Sequence, residues 1–472
     1  MNNEVSIQTT KQIIPKKTVP KKLISLFFIF LTVVGVIYAF MIDSMGLAVF
    51  SFLFLFLMVG LPIAVSIGLA SFLSIYYFTL DPLPDLARQI YSGLDSFPLM
   101  AIPLFVLAGN IFTTGGVAQR LINLTNTFVG HIPGGLSIAG VFASALFAAI
   151  SGSSPATVVA IGGVLIPAMV KQGYSKDFAV GSMSVAGTLG ILIPPSIPMI
   201  VYGVTVDQSV GKLFLAGIVP GIMLASMLAL VSYLIARKEK FPLIKKSTSA
   251  EKWKAFKESF WSLSLPIIII GGIYSGLFTP TESAAVAVFV GLFIGFFIHR
   301  DLKVKDLPKI LVESAKTTAM LFLIISMAML FAHVLTYERI PHKIAEMIVN
   351  YNVSKVTYLL IVNLILFVAG QFMEPTAILT IFAPILYPVA MNLGIDPIHL
   401  GIIMVVNMEV GMITPPVGLN LYVASGISGM SIMQVTKSSL PWLITTILAL
   451  FIVTYVPEVS LWLPDFLYGL LK

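Results

Sequence analysis

The chain has 472 residues, 58% of them hydrophobic and only 10% charged, with a net charge of +7. A soluble domain carries about 25% charged residues, so most of this chain must face lipid or other apolar segments. The absence of cysteine excludes disulfides, thiolate chemistry and Cys-ligated zinc or iron–sulfur centres. The absence of GxxxxGK[ST] and HExxH spacings removes a P-loop and a zincin helix.

In chain order, residues 1–45 read as a cytoplasmic tail followed by an extra transmembrane helix. Lys11, Lys16, Lys17, Lys21 and Lys22 precede the apolar run Leu23–Ile42. That run is long for a signal-peptide core and lacks a clear A-x-A site, so it is expected to be retained. Gly46–Gly60 and Ile63–Phe78 open a first half, 46–236, which closes on Gly221–Ala236. A basic cytoplasmic connector, 237–258, holds Arg237, Lys238, Lys240, Lys245, Lys246, Lys252, Lys254 and Lys257. The second half, 259–472, begins with Leu263–Phe278 and Ala284–Ile298 and includes Trp442–Val456. A further basic block runs from Arg300 through Lys303, Lys305 and Lys309 to Lys316. Basic residues in short loops report the cytoplasmic side of a membrane, not nucleic-acid binding. Two spans separate the two blocks, so the parity agrees. About eleven to thirteen membrane segments are expected, in one all-α polytopic domain.

Two apolar segments break themselves with paired prolines: GILIPPSIPMIVYG from Gly190 and GMITPPVGLNLYVASG from Gly411. Proline inside a helix costs about 3 kcal/mol. Gly190, Pro194, Pro195 and Pro220 match Gly411, Pro415, Pro416 and Pro441 in one register, as do Pro167 and Gly173 with Pro388 and Gly394. The chain is therefore read as two repeats, with weak charge asymmetry pointing to an inverted arrangement. The broken helices span about 180–205 and about 400–426. Upstream, ISGSSPATVVAIGG and GQFMEPTAILTIFAPI read as tips of re-entrant hairpins, at about 141–170 and about 365–392. Duplicated Gly/Pro-interrupted segments mark the binding site of a secondary transporter, because unwound backbone at membrane depth is tolerated only inside protein or along a cavity.

A broken helix offers carbonyls to a cation at one end and N–H groups to an anion at the other. Ser151, Ser153, Ser154 and Thr157, with carbonyls around Gly190, Ile193 and Pro195, would make an all-oxygen nest. The second half offers Gly370, Gly411, Thr414 and Val417. Oxygen ligands without a carboxylate cage suit Na⁺ better than Ca²⁺. The acids Glu282, Glu374 and Glu409 are read as intramembrane, hence as candidates for coupling or for holding helix ends. No lysine or arginine stands at the breaks, so an anion would be held by helix N-termini, hydroxyls, Asn amides and bound cations.

FPLMAIPLFVLAGN, FAAISGSSPATVVAIG, AGTLGILIPPSIPMIVYG, GGIYSGLFTPTE, FMEPTAILTIFAPIL and VVNMEVGMITPPVGLNLYVASG together resemble the large membrane subunit of tripartite ATP-independent periplasmic (TRAP) transporters, closest to the DctM type of the C4-dicarboxylate branch. The resemblance covers about Gly46 to Pro464. It implies an ion-transporter-superfamily helical bundle with two inverted repeats, each with one re-entrant hairpin and one broken helix. It implies a first sodium site at Ser151, Ser154, Gly190, Ile193 and Pro195, and a second at Gly370, Gly411, Thr414 and Val417. Substrate should lie between the hairpin tips, on Ser153, Thr157, Thr188, Thr376, Asn407 and Asn420. The implied partners are a small four-helix membrane subunit (DctQ-type) on a separate chain and a soluble periplasmic binding protein (DctP-type). Na⁺ is the implied coupling ion, and the bacterial cytoplasmic (inner) membrane the implied location. Residues 1–45 depart from the pattern by adding a helix that the unfused large subunit usually lacks.

The expected function is Na⁺-coupled, elevator-type import of a C4-dicarboxylate or related organic anion. A stand-alone sodium–carboxylate symporter is the alternative within transport, separated by whether a binding protein is required. A membrane-embedded enzyme would need a nucleophile–base pair or metal triad at membrane depth, and none is seen. A non-transporting scaffold subunit is the remaining alternative, which loss of transport in Ser154→Ala or Thr414→Ala would exclude.

Overall fold

A computed structural model of the chain describes residues 21–79 and 82–470. The basic residues Lys11, Lys16 and Lys17 lie outside the described part. The chain forms two compact units, Met1–Leu80 and Asp81–Lys472.

In the first unit three helices follow one another, Lys21–Met41, Met45–Val59 and Ile63–Phe78, matching the expected apolar runs. Ser44 caps the second, accepting from Leu47 N at 3.3 Å. Gly60 ends it in the left-handed conformation at φ 92°, which glycine adopts without the Cβ clash. The Phe40 ring packs on Tyr77 and Phe78, with centroids 5.4 and 4.9 Å apart.

The second unit carries the repeat. The first hairpin runs up Gly135–Ser151 and returns along Ser154–Lys171, interrupted by a π turn at Val158–Gly162. The second runs up Lys355–Gly370 and returns along Pro375–Asn392. Both hairpins start earlier than the sequence suggested: the first arm begins at the Pro133-Gly134-Gly135 turn and the second after the Ser354 cap. Both return arms begin and end 221 residues apart. So do the first halves of the broken helices: Lys176–Ala186, continued by a tight turn to Ile191, and Pro397–Met412. Ser175 and Asp396 cap these halves from equivalent positions. The second halves are Ile197–Thr205 and Leu419–Ser428. The peptide bonds Pro194–Pro195 and Pro415–Pro416 are both cis.

Every residue from Ile398 to Met412, and every one from Phe178 to Ala186, is buried. A helix buried on every side lies inside other protein, and these two are enclosed by the rest of the second unit. The repeats exchange contacts there. The second half of the first broken helix packs on the return arm of the second hairpin, and that of the second packs on the return arm of the first. The uninterrupted helices Ala101–Thr114, Pro280–Phe293 and Leu307–Tyr337 form a further packed group beside the first hairpin. Their outward faces carry large apolar side chains such as Phe289, 73% exposed, as lipid contact demands.

Among the described residues, eight helices are long and apolar enough to cross a membrane, and six shorter ones are apolar. The shorter six are the three helices of the first unit, the two outgoing hairpin arms and the first half of the second broken helix. The connector 237–258 is only partly irregular: helix Val210–Glu239 runs into it, and Ser249–Tyr274 starts within it on a Thr248–Glu251 capping box. Glu282 is not an interior acid. It is exposed and closes a capping box, accepting from Thr279 N at 2.8 Å while its own N–H donates to Thr279 Oγ1 at 3.2 Å.

Candidate functional site

The tip of the first hairpin is Ser151-Gly152-Ser153. Gly152 turns the chain at φ 58°, and a Cβ there would sit 2.9 Å from Pro195 O. Thr157 Oγ1 donates to Ser153 O at 2.8 Å, and the Ser151 and Thr157 hydroxyls meet at 3.1 Å. With the Thr157 proton so committed, Ser151 is the donor of that pair, and its lone pairs stay available. Ser154 Oγ donates to Gly187 O at 2.9 Å and accepts from Asn420 Nδ2 at 2.8 Å. Gly190 lies directly against this tip: a Cβ would meet Ser153 O at 2.5 Å. Ser196 restarts the helix after the break, accepting from Met199 N at 3.4 Å and donating to Ile191 O at 2.5 Å. Ile193 packs toward Gly221, where a Cβ would stand 2.6 Å from Ile193 Cγ1.

The second tip repeats the plan with other atoms. Glu374 caps the return arm, accepting from Thr376 N at 3.0 Å, Ala377 N at 3.3 Å and Thr376 Oγ1 at 2.8 Å. Gly411 meets Gly370 backbone to backbone; a Cβ on Gly411 would be 2.6 Å from Gly370 Cα. Val417 N donates to Gln371 O at 3.1 Å, tying the break to the tip. Thr414 Oγ1 donates to Val410 O at 2.7 Å.

Both tips line one cavity of about 460 Å³. Ser151, Ser153 and Ser154 contribute from one tip, Glu374, Pro375 and Thr376 from the other. The starts of both second half-helices, at Ile197 and Leu419, reach it, as do the last residues of the first halves, Ile191 and Met412. Four helix N-termini therefore converge: those of the two return arms and of the two second half-helices. Each carries a partial positive charge of roughly half an electron, and at the second return arm the Glu374 carboxylate already takes two of the N–H groups. No lysine or arginine is among the lining residues.

Of the expected substrate residues, Ser153 and Thr376 line this cavity, while Thr157, Thr188, Asn407 and Asn420 are buried and not among its lining residues. Thr188 donates to Val185 O at 2.8 Å within its own turn. Asn407 Nδ2 donates to Asn363 Oδ1 at 2.9 Å, bracing the second broken helix on the hairpin arm. Asn420 joins the Ser154 cluster instead. Its Oδ1 is buried with no hydrogen-bond partner among the described residues, and so are both carboxylate oxygens of Glu409. Two lining residues, Asn110 and Thr317, were not singled out from the sequence, because they sit on uninterrupted helices. No group of three or more metal-ligating side chains occurs among the described residues.

The chain is similar to known proteins over most of its length. A family model described as tripartite ATP-independent periplasmic transporter, DctM component, matches residues 50–459. The C4-dicarboxylate TRAP transporter large permease protein DctM of Rhodobacter capsulatus is 49% identical over 436 residues, covering 89% of this chain and 99% of that protein. The protein of the same description in Pseudomonas aeruginosa is 52% identical over 402 residues, covering 85% and 94%. Among solved structures, the YdaH transporter of Alcanivorax borkumensis matches with a TM-score of 0.60 at 16% identity, over 82% of this chain and 91% of that one; this likeness speaks for the fold alone. The permeases are transport proteins, not enzymes. By its family match and by relatives aligned over nearly their whole length, the chain belongs to the DctM, or large-permease, family of tripartite ATP-independent periplasmic transporters.

Proposed function

We propose that this large permease subunit imports a C4-dicarboxylate or related organic anion, handed over by a soluble periplasmic (DctP-type) binding protein and driven by Na⁺. The observation that carries the reading is the convergence of four helix N-termini on a cavity without lysine or arginine among its lining residues. Such ends bind carboxylates through backbone N–H groups and dipole, while Glu374, itself on the lining, caps one of them. The names of the relatives, C4-dicarboxylate permeases at about half identity, support the substrate class.

Sodium is the cargo that compensates charge. Moving a dianion inward against about −100 mV costs roughly 4.6 kcal/mol. Two Na⁺ cancel its charge, and a third or a steep sodium gradient supplies accumulation. Ser151, Ser154, Gly190, Ile193 and Pro195 would hold one ion; Gly370, Gly411, Thr414 and Val417 would hold another. The donor chemistry fits: the Ser151, Ser154 and Thr414 protons point into other bonds, leaving lone pairs for a cation. Asn420 Oδ1, bare and buried beside Ser154, is a further neutral oxygen.

Transport proceeds in this reading as an elevator: hairpins and broken helices move as a body against the uninterrupted helices, carrying the cavity across. The chain sits in the bacterial inner membrane with its N-terminus and basic blocks cytoplasmic, beside a small four-helix (DctQ-type) subunit. The test is uptake of a radiolabelled four-carbon dicarboxylate into proteoliposomes holding both membrane subunits. Uptake is expected only with the binding protein and an inward Na⁺ gradient. Uptake that survives complete replacement of Na⁺ by K⁺ overturns sodium coupling, and uptake without the binding protein favours a stand-alone symporter.

A further inference from the structure

We propose that Asn110 contacts the transported anion from the intact-helix wall beside the first hairpin tip, with Ser314 as its positioning residue; the inference rests on the transport reading above. The cavity has two unlike walls. One is the broken backbone already described. The other is built from the intact helices Ala101–Thr114 and Leu307–Tyr337, and its polar members are Asn110 and Thr317.

The two polar groups differ in what they can offer. Thr317 Oγ1 donates to Glu313 O at 3.0 Å, so its proton is spent within its own helix and only lone pairs remain. A carboxylate is an acceptor alone, and lone pairs give it nothing. Asn110 is different. Its Nδ2 donates to Ser314 Oγ at 2.8 Å, and the Ser314 proton goes to Ile310 O at 2.7 Å. Ser314 must therefore accept, which fixes the amide with nitrogen toward Ser314. One amide N–H and Oδ1 remain without a protein partner among the described residues. That N–H is the donor this wall offers to an anion.

Position supports chemistry. The preceding residue, Gly109, runs against the first tip: a Cβ there would stand 3.3 Å from both Cα and O of Ser151. The amide is thus anchored beside the hairpin on a helix that has no break of its own. A dicarboxylate has two charged ends. In this assignment one end takes the helix N-termini, and the other takes the Asn110 N–H. Ser314, reaching from a helix 204 residues away in sequence, keeps that N–H aimed without occupying it.

The test is dicarboxylate uptake by the reconstituted complex of permease, small subunit and binding protein, with KM, Vmax and sodium half-saturation measured separately. A hydrogen bond to a charged group is worth about a tenfold change in affinity or more. Asn110→Ala is expected to raise KM about tenfold, with Vmax and sodium half-saturation close to wild type. Asn110→Asp has nearly the same shape, removes the donor and adds a negative charge, so its KM should rise further. Ser314→Ala should raise KM less, and should add nothing in the double variant with Asn110→Ala. Thermal stability of Asn110→Asp in detergent checks that the isostere folds. An Asn110→Asp variant that folds and keeps the wild-type KM overturns the assignment. So does a loss of Vmax at unchanged KM, which would mark a purely structural amide. A wild-type complex that carries no dicarboxylate removes the transport reading itself, and this inference with it.

Discussion

Asn420 of the second repeat donates to the Ser154 hydroxyl of the first at 2.8 Å, and Ser154 donates in turn to Gly187 O at 2.9 Å. Three segments from distant parts of the chain, the first tip and both broken helices, are tied in one buried line. A second thread, Ser184 Oγ to Ser439 Oγ at 2.8 Å, joins the same halves nearby. A change at either residue of the Asn420–Ser154 pair must therefore be felt at the other.

The first prediction follows from that pair. Ser154→Ala and Asn420→Ala should each raise the sodium concentration for half-maximal uptake. Because the residues are in direct contact, their effects should be non-additive, with a coupling of about 0.5–3 kcal/mol. Sodium titration of uptake in both single variants and the double variant measures it; strictly additive effects would show the contact to be idle.

Glycine at the breaks gives the second. Gly190→Ala drives a methyl onto Ser153 O, and Gly411→Ala drives one onto Gly370, both against backbone that cannot rotate away. Each should destabilise by about 1–3 kcal/mol and abolish uptake. Gly163, in the first return arm, faces open space, so Gly163→Ala should leave uptake intact and raise stability slightly through helix propensity. Detergent-melting curves with uptake assays check all three, and an active Gly411→Ala transporter would contradict the close approach.

The third concerns Glu282. As a capping-box residue its loss should lower the melting temperature modestly, with KM and sodium dependence unchanged. Glu282→Ala and Thr279→Ala should behave alike in melting and uptake. Loss of transport at unchanged stability would return Glu282 to a coupling role.

Acid sensitivity gives the fourth. His299 lies outside the membrane-spanning helices, in a polar cleft with Gln119, Arg120, Glu258 and Asp301. Burial first, then the Arg120 charge, holds its pKa below the ordinary histidine value, with Asp301 opposing. The unfolded chain therefore takes up this proton more readily than the folded one. The stability that His299 contributes is complete above about pH 6.5 and is lost as the pH falls through its lowered pKa. Melting temperature should drop on acidification from neutral, and His299→Gln should flatten that drop. An unchanged slope would place the acid sensitivity elsewhere.

Much of the fold was legible because proline and glycine punctuate it. Pro194, Pro195, Pro415 and Pro416 cannot sit inside an intact helix, so the breaks and their common register showed in the sequence. Gly190 and Gly411 shared that register, but their close approach to the hairpin tips came only with the structure. The facing of side chains was not legible. Pro397–Met412 is buried on every side, so its pattern carries no exposed face to set a phase, and nothing said that Asn407 turns to Asn363. Asn420 was expected at the substrate for the same reason. Asn110 and Thr317 lie on helices without interruption, where polar residues give no signal of what they face across 200 residues of chain. Glu282 was the avoidable error: Thr279-x-x-Glu282 after a proline-flanked turn is a readable capping box.

The central claim is that both hairpin tips close on one anion together with sodium. The chain has no cysteine, so Ser153→Cys and Thr376→Cys each place a single thiol, one on each tip. Maleimide labelling rates in the reconstituted complex, with and without dicarboxylate and Na⁺, test the claim directly. Dicarboxylate and Na⁺ together should slow labelling at both positions and leave Gln119→Cys, in the separate polar cleft, unaffected. Equal rates at both tips with and without saturating dicarboxylate and Na⁺ would contradict it.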